Sequence, residues 1–440
     1  MAVIKGGLLA LALAVGVAPA AKSEDAPIEI SWWHAMTSVN GELVNKMADE
    51  FNASQSRYKV VPVYKGGYAD TMQAAIAAFR AGNPPDIVQV FEVGTATMMA
   101  AKGAVKPVYQ LMADAGAPFD PNAYLPAIAG YFSTSDGKML SLPFNNSTAI
   151  LYYNKDAFAK AGLDPATPPK TWPEVFEDAK KIRAAGYACG FTSSWISWIQ
   201  IEQFSAWHNL PLGTKANGMD GIDTVLDFNN PIVARHIQNL AEAEKDKSFD
   251  YGGRTIEPDQ KFVSGECGID FNSSGFYGLA KAGAKFPFGV GELPYYPDVK
   301  GAPQNSIIGG ASLWVMAGKK VEEYKGVAQF LNFVSQTPQQ VRFHEMTGYL
   351  PITKAAYEAT RASGFYEEHP GLDLPVVQMT GKPPTENSRG LRFGNLVQIR
   401  DIIAEELEGA FAGKQTGQEA LDNAVKRGNV VLRQFEAAVR

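Results

Sequence analysis

Residues 28–91 keep switching hydrophobic period, and that alternation constrains the fold more than any other feature of the chain. Ile28, Ile30 and Trp32 alternate with polar residues, the period-two signature of a strand. Leu43, Met47 and Phe51 then fall four apart, on one face of a helix. Residues 58–64 return to a strand, Met72, Ile76 and Phe79 mark a second helix, and Gly82-Asn83-Pro84-Pro85 ends it before a third strand at 87–91. Such a rhythm predicts a mostly parallel sheet covered by helices. Ligands on these sheets sit beyond the carboxyl ends of the strands. Tyr68 and Glu92 follow two of those ends and are the first candidates to face a ligand.

The chain of 440 residues is too long for one core, which stops growing at about 250–300 residues, so two lobes are expected. Its start reads as a cleaved secretory leader at 1–21: Lys5, an apolar run at 6–17, then Ala18-Pro19-Ala20. The run is shorter than the ~20 residues that span a bilayer, so the expected product is exported, to the periplasm in a two-membrane cell. We expect one lobe from residues 22–146 plus about 310–360. The other would comprise 147–309 plus about 361–440. Strands are expected at 149–153 and at 307–316, the second loosened by Gly309-Gly310. Thr171 and Glu174, and again Thr416 and Glu419, have capping-box spacing. Val175, Phe176, Ala179 and Ile182 form one apolar helical face, Val327, Phe330, Leu331 and Val334 a second, and Ile399, Ile402, Ile403 and Leu407 a third.

A net charge of −6 without a basic run argues against nucleic acid and anionic membranes as partners. Cys189 and Cys267 are the two cysteines; outside the cytoplasm they form one disulfide or remain two buried thiols. The five histidines lack metal-ligand spacing, and His344-Glu345 fails as a zinc motif because Gly348 stands where the second histidine must be. His34 either faces the cleft or is structural. No phosphate loop and no nucleophile elbow occur, so neither cofactor nor metal is expected and a secreted hydrolase is a remote reading.

Gly82-Asn83-Pro84-Pro85-Asp86-Ile87, Tyr153-Asn154-Lys155-Asp156, Pro168-Pro169-Lys170-Thr171-Trp172, Phe262-Val263-Ser264-Gly265-Glu266-Cys267 and Thr347-Gly348-Tyr349-Leu350-Pro351 together resemble landmarks of the bacterial extracellular solute-binding proteins related to maltose-binding protein. The resemblance implies a two-lobed α/β binding protein of the type II class, each lobe a mixed sheet flanked by helices, with the ligand in the cleft between them. VYKGGYAD, PFNNST, SSWISWIQIEQFSAW and IIGGASLWVM are similar to members that take glycerol phosphates. That likeness implies a monomeric, non-catalytic component of an ABC importer, which captures sn-glycerol 3-phosphate and delivers it to the permease subunits. A glycerophosphodiester such as glycerophosphocholine, or a sugar, is the alternative ligand. The contacts it implies are Tyr68, Glu92, Ser147, Trp195, Trp198, Ser273, Gly310, Tyr349 and Arg400. Arg400 would offer its planar fork to a phosphate, with Arg392 the competing arginine. Ser147, Ser273 and the Gly310 backbone would assist. Glu92 would accept from the glycerol hydroxyls, and the aromatic residues would wall the carbon chain. Asn146, and Ile196-Ser197 between the tryptophans, depart from the expected pattern and would alter the pocket edge.

Overall fold

The computed structural model describes residues 26–440, so the leader expected at 1–21 lies outside the described residues. Nine strands are present among them. They are β1 (Ile28–His34), β2 (Tyr58–Tyr64), β3 (Ile87–Phe91), β4 (Leu142–Ser147), β5 (Ala149–Asn154), β6 (Cys189–Ser193), β7 (Cys267–Ser273), β8 (Phe288–Gly291) and β9 (Gly309–Val315). They make two sheets, ordered β2-β1-β3-β9-β4 and β6-β7-β5-β8.

The N-terminal rhythm yields three parallel strands, β2, β1 and β3, as its period demands. The sheet as a whole is mixed, because β9 returns from far along the chain and inserts antiparallel between β3 and β4. In the second sheet β6 and β7 are parallel, while β5 runs antiparallel to both β7 and β8.

The helix Ser38–Ser54 buries Leu43, Met47 and Phe51 as their spacing requires. In the helix Tyr68–Arg80, Met72 is buried but Phe79 is 37 % exposed, so the expected stripe ends a turn early. Both capping boxes form. Thr171 accepts from the Glu174 N–H at 3.4 Å while Glu174 accepts from the Thr171 N–H at 2.9 Å, and Thr416 pairs with Glu419 in the same way. The core of the first sheet gathers around Trp32, with Phe144 and Phe330 at ring-centroid distances of 5.4 and 5.2 Å. The core of the second gathers around Trp172, Phe191 and Phe271. Cys189 and Cys267 are register partners on β6 and β7, 4.6 Å apart at Cα, and are joined as a disulfide. No described helix is long and apolar enough to cross a membrane.

The chain leaves the first sheet at the end of β4 and returns to it at the start of β9. These two strands are neighbours, with Ser147 opposite Gly309 and Asn146 opposite Gly310. A third, longer passage leads from Leu350 to the helix Leu396–Phe411, which packs with the helices Pro231–Lys245 and Gly417–Val439 beside the second sheet. Gln378, on that passage, donates to the Ala149 carbonyl at 2.8 Å and accepts from the Leu293 N–H at 2.8 Å, bracing the junction.

Candidate functional site

Strands of the first sheet end at the junction between the two sheets, and there the molecule holds a cavity of about 400 Å³. All nine residues singled out from the sequence line it.

From the first sheet come Tyr68, Glu92, Ser147 and Gly310. Tyr68 opens its helix and stacks on Phe91 at 5.2 Å, with an interplanar angle of 8°. Its hydroxyl is oriented by a relay of side-chain amides. The Ala35 N–H donates to Gln89 Oε1 at 2.7 Å, which fixes Gln89 Nε2 as donor to Asn145 Oδ1 at 2.7 Å. Asn145 Nδ2 therefore donates to the Tyr68 oxygen at 2.7 Å, which turns the phenolic hydrogen away from Asn145, toward Tyr349 and the cavity. Burial raises the Tyr68 pKa well above the ordinary phenol value, so it acts as a neutral donor. Gly310 has φ +78°, and a Cβ there would strike the Asn145 carbonyl, so only glycine fits. Ser147, buried, closes β4 at the hinge.

From the second sheet and its helices come Trp195, Trp198, Ser273 and Arg400. Trp195 adopts φ +50°, a strained conformation for a bulky residue, held by its N–H donating to the Thr255 carbonyl at 2.8 Å. Its ring lies 6.3 Å from that of Tyr68 across the cleft. Trp198 opens a π-helix, Trp198–Gln203, and packs so closely on Gly309 that a Cβ there would collide with the indole. Its Nε1 is buried without a protein acceptor among the described residues. Ser273 ends β7 and accepts from the Gly275 N–H at 3.1 Å. Tyr349 stacks on Phe343 at 5.7 Å beside Tyr68. His344 holds the carbonyl of Tyr349 through Nδ1 at 2.6 Å, which leaves Nε2 to accept from the Tyr366 hydroxyl at 2.9 Å. Burial lowers the His344 pKa to about 4, so the ring is neutral and structural.

Arg400 requires a correction. It was expected to present its bidentate edge to a phosphate, but that edge is taken. Nε and Nη2 lie on Glu202 at 2.7 and 2.6 Å, and Nη2 also reaches Glu92 at 2.6 Å. Nη1, with no acceptor among the described residues, is the nitrogen left for the cleft. Burial alone would lower the Arg400 pKa, but Glu202 and Glu92 together hold it raised. Burial pushes the Glu92 carboxyl up, against the pull of Arg400 and with the push of Glu202.

The sequence reading missed Glu202. It sits on the π-helix, 1 % exposed, in a stretch where Trp198, Ile199 and Ile201 look like core. The insertion of π geometry, common at functional sites, left no signature in the periodicity. Gln203 on the same turn donates to the Ile307 carbonyl at 2.7 Å and accepts from its N–H at 3.0 Å, tying the π-helix to the chain entering β9.

Three other residues lie off the cavity. Arg392 donates to the Tyr131 and Ser133 carbonyls at 2.9 Å, which removes it as the competing arginine. Asn146 turns into the sheet, donating to the Gly309 and Ala311 carbonyls at 3.3 Å, and does not shape the pocket edge. His34 is buried, and its Nδ1 accepts from the Met36 N–H at 3.3 Å.

The first-turn residues of two longer helices, Ser38–Ser54 and Leu396–Phe411, also line the cavity, and helix N-termini favour anions. Two sheet lobes meeting at a two-stranded hinge, with donors and aromatic walls facing one another across the cleft, define a solute-binding protein of the type II class. Residues 46–373 match the family described as bacterial extracellular solute-binding protein, and the chain belongs to that family. It is 54 % identical over 425 residues to the sn-glycerol-3-phosphate-binding periplasmic protein UgpB of Brucella abortus (strain 2308), covering 96 % of each chain. It is 55 % identical over 409 residues to the protein of the same name from Rhizobium meliloti (strain 1021), covering 92 % of this chain and 94 % of the other. Among solved structures, UgpB from Mycobacterium tuberculosis in complex with glycerophosphocholine superposes with a TM-score of 0.78 at 21 % identity, over 93 % of this chain and 99 % of that one. Maltose-bound MalE3 of T. maritima gives 0.74 at 19 % identity, over 91 % and 98 %. These two share the fold.

Proposed function

We propose that the chain is the periplasmic solute-binding component of an ABC importer, that it captures sn-glycerol 3-phosphate in this cleft, and that it delivers the ligand to the membrane permease as a monomer. It is a binding protein and not an enzyme. The observation that carries the reading is the convergence of the nine residues on one cavity, in a chain more than half identical to relatives named for that ligand. Arg400 Nη1, the Tyr68 and Tyr349 hydroxyls, Ser147, Ser273 and the Gly310 backbone supply donors suited to phosphate oxygens. Glu92 Oε2, not used by Arg400, accepts from a glycerol hydroxyl. Trp195 and Trp198 cover the carbon chain.

The lobes we assign are residues 26–146 with about 310–360, and 147–309 with about 361–440. The ligand contacts both, so closure is favoured by interactions complete only in the closed state. A glycerophosphodiester is the second reading. It is favoured because the cavity of about 400 Å³ is also lined by Arg254, Thr255, Ile256 and Ala404, and so offers room that a second phosphate substituent would use.

The test is calorimetric titration with sn-glycerol 3-phosphate, glycerophosphocholine and maltose. One-to-one binding of sn-glycerol 3-phosphate, abolished in Ser273→Ala/Arg400→Ala, is expected. Binding of maltose alone would overturn the ligand and keep the class.

A further inference from the structure

The cleft is acidic for a site that takes an anion. Its one deeply buried guanidinium arrives already clamped by two carboxylates, so Arg400, Glu202 and Glu92 together carry a net charge of −1. Other charged groups line the same cavity. Asp70 comes from the helix Tyr68–Arg80 and Asp401 from the helix of Arg400, both exposed, and Asp259 is buried beside Asn272 of β7. Arg254 also lines the cavity, but its charge is spent on Glu408 through contacts of 2.8 and 2.7 Å. The Tyr131 hydroxyl donates to the Glu92 carbonyl at 3.1 Å, and Arg392 behind it is committed to backbone carbonyls. The phenols of Tyr68 and Tyr349 are neutral donors. Carboxylates therefore outnumber guanidiniums around the ligand, and like charges repel most strongly at the buried ones, Glu92, Glu202 and Asp259, where water screens least.

We propose that this cleft takes its phosphate as a monoanion, a phosphodiester as it stands and a phosphomonoester only with a proton, and that Glu202 is the residue that sets the preference. This rests on the ligand reading above and adds the ligand's charge state to it. Glu202 and Arg400 share a lobe, so their pair persists when the cleft opens, whereas Glu92 reaches Arg400 from the opposite wall. An entering ligand consequently meets a neutral ion pair exposing one nitrogen, and then a further carboxylate on closure. A phosphate with one negative charge matches the donors available. A second charge faces Glu92 and Glu202 without a counter-ion. Burial already raises Glu92, in keeping with an acidic surplus at this point.

The experiment is calorimetric titration of the mature protein at pH 6, 7 and 8 with two probes: sn-glycerol 3-phosphate and its methyl phosphodiester, which differs by a methyl group and the loss of the second ionisation. With a second phosphate pKa of about 6, the monoanionic share of the monoester drops from about one half at pH 6 to about one hundredth at pH 8. Its affinity should fall by roughly fiftyfold over that range, with uptake of close to one proton at pH 8 read from the dependence of enthalpy on buffer. The diester should hold within about twofold. Glu202→Gln should cut the monoester's fall to under about fivefold and leave the diester within about tenfold of the parent.

Flat affinity for the monoester overturns the proposal. So does a parallel fall for both esters, which would trace to Glu92 or Asp259 titrating and not to the ligand. Equal weakening of both esters by Glu202→Gln, with the monoester's slope unchanged, overturns the role of Glu202. Absence of binding by either ester at all three pH values overturns the ligand reading itself, whereas tight and pH-independent binding overturns the charge rule alone.

Discussion

Replacing Arg400 with methionine keeps most of the side-chain volume and removes the cation that contacts Glu92 and Glu202, which are 6 % and 1 % exposed. Removing one partner from a buried ion pair costs about 3–5 kcal/mol, because the charge left behind cannot recover its hydration. That cost should depend on pH in a direction that can be worked out. A carboxyl stranded in the interior has a folded-state pKa above its unfolded value of about 4.3, so the folded variant holds more protons than the unfolded chain. Stability then falls as pH rises above about 4.3, by up to ~1.4 kcal/mol per unit for each such group until the folded pKa is passed. For one carboxyl, the loss should be roughly 3 kcal/mol greater at pH 7.5 than at pH 5. Urea unfolding of the ligand-free protein, followed by tryptophan fluorescence at both pH values, measures it. Adding Glu202→Gln to Arg400→Met should recover at least half of the loss at pH 7.5. A loss that is the same at both pH values, or no recovery in the double variant, would refute the reasoning that the triad is held together by charge.

Two further outcomes follow from other buried groups. The bond between Cys189 and Cys267 closes a loop with a sequence separation of 78. Chain-entropy arguments assign such a loop about 4.5 kcal/mol, so the double serine variant should unfold at markedly lower urea, and thiol titration of the denatured parent should find no free sulfhydryl without reductant. Asp259, with Ser194 donating to it at 2.6 Å and Asn272 at 2.8 Å, is pushed up to about 6 by burial. Its native form therefore favours the proton, and stability is lost as pH rises from about 3.9 through 6. Asp259→Asn should stabilise the protein at pH 7.5 by up to ~3 kcal/mol and do little at pH 4, as read from unfolding midpoints across that range.

The sequence was most legible where local period and structure coincide. Trp32, Leu43, Met47 and Phe51 declared a strand and a helix face because one buried side per element is all those elements need. Thr171 with Glu174 declared a helix start because the cap is contained in four residues. What escaped was set by distant parts of the chain. A strand at 307–316 and a mixed sheet were both expected, but nothing in residues 28–91 could announce that this strand, more than 200 positions away, inserts antiparallel between β3 and β4. Phe79 fits a helix pattern whose last turn happens to lie beyond the neighbouring elements. The nine cavity residues were nameable through resemblance, yet their partners were not. Glu202 looks like an interruption in a core stretch, and only its contact with Arg400 gives it meaning. Spacing alone ruled out a zinc motif at His344, but that its two ring nitrogens serve Tyr349 and Tyr366 needed the fold.

The placement of Ser147 and Gly310 has a practical consequence. The strands that carry them are neighbours at the point where the chain passes between lobes, and Gly310 admits no side chain. On the proposed function, recognition and articulation share residues, so mutagenesis there should not retune selectivity without also altering how the halves swing. Engineering of the protein as an optical sensor should leave that ribbon untouched. Reporter dyes belong at exposed positions off the cavity, such as Val430, away from both ligand and pivot.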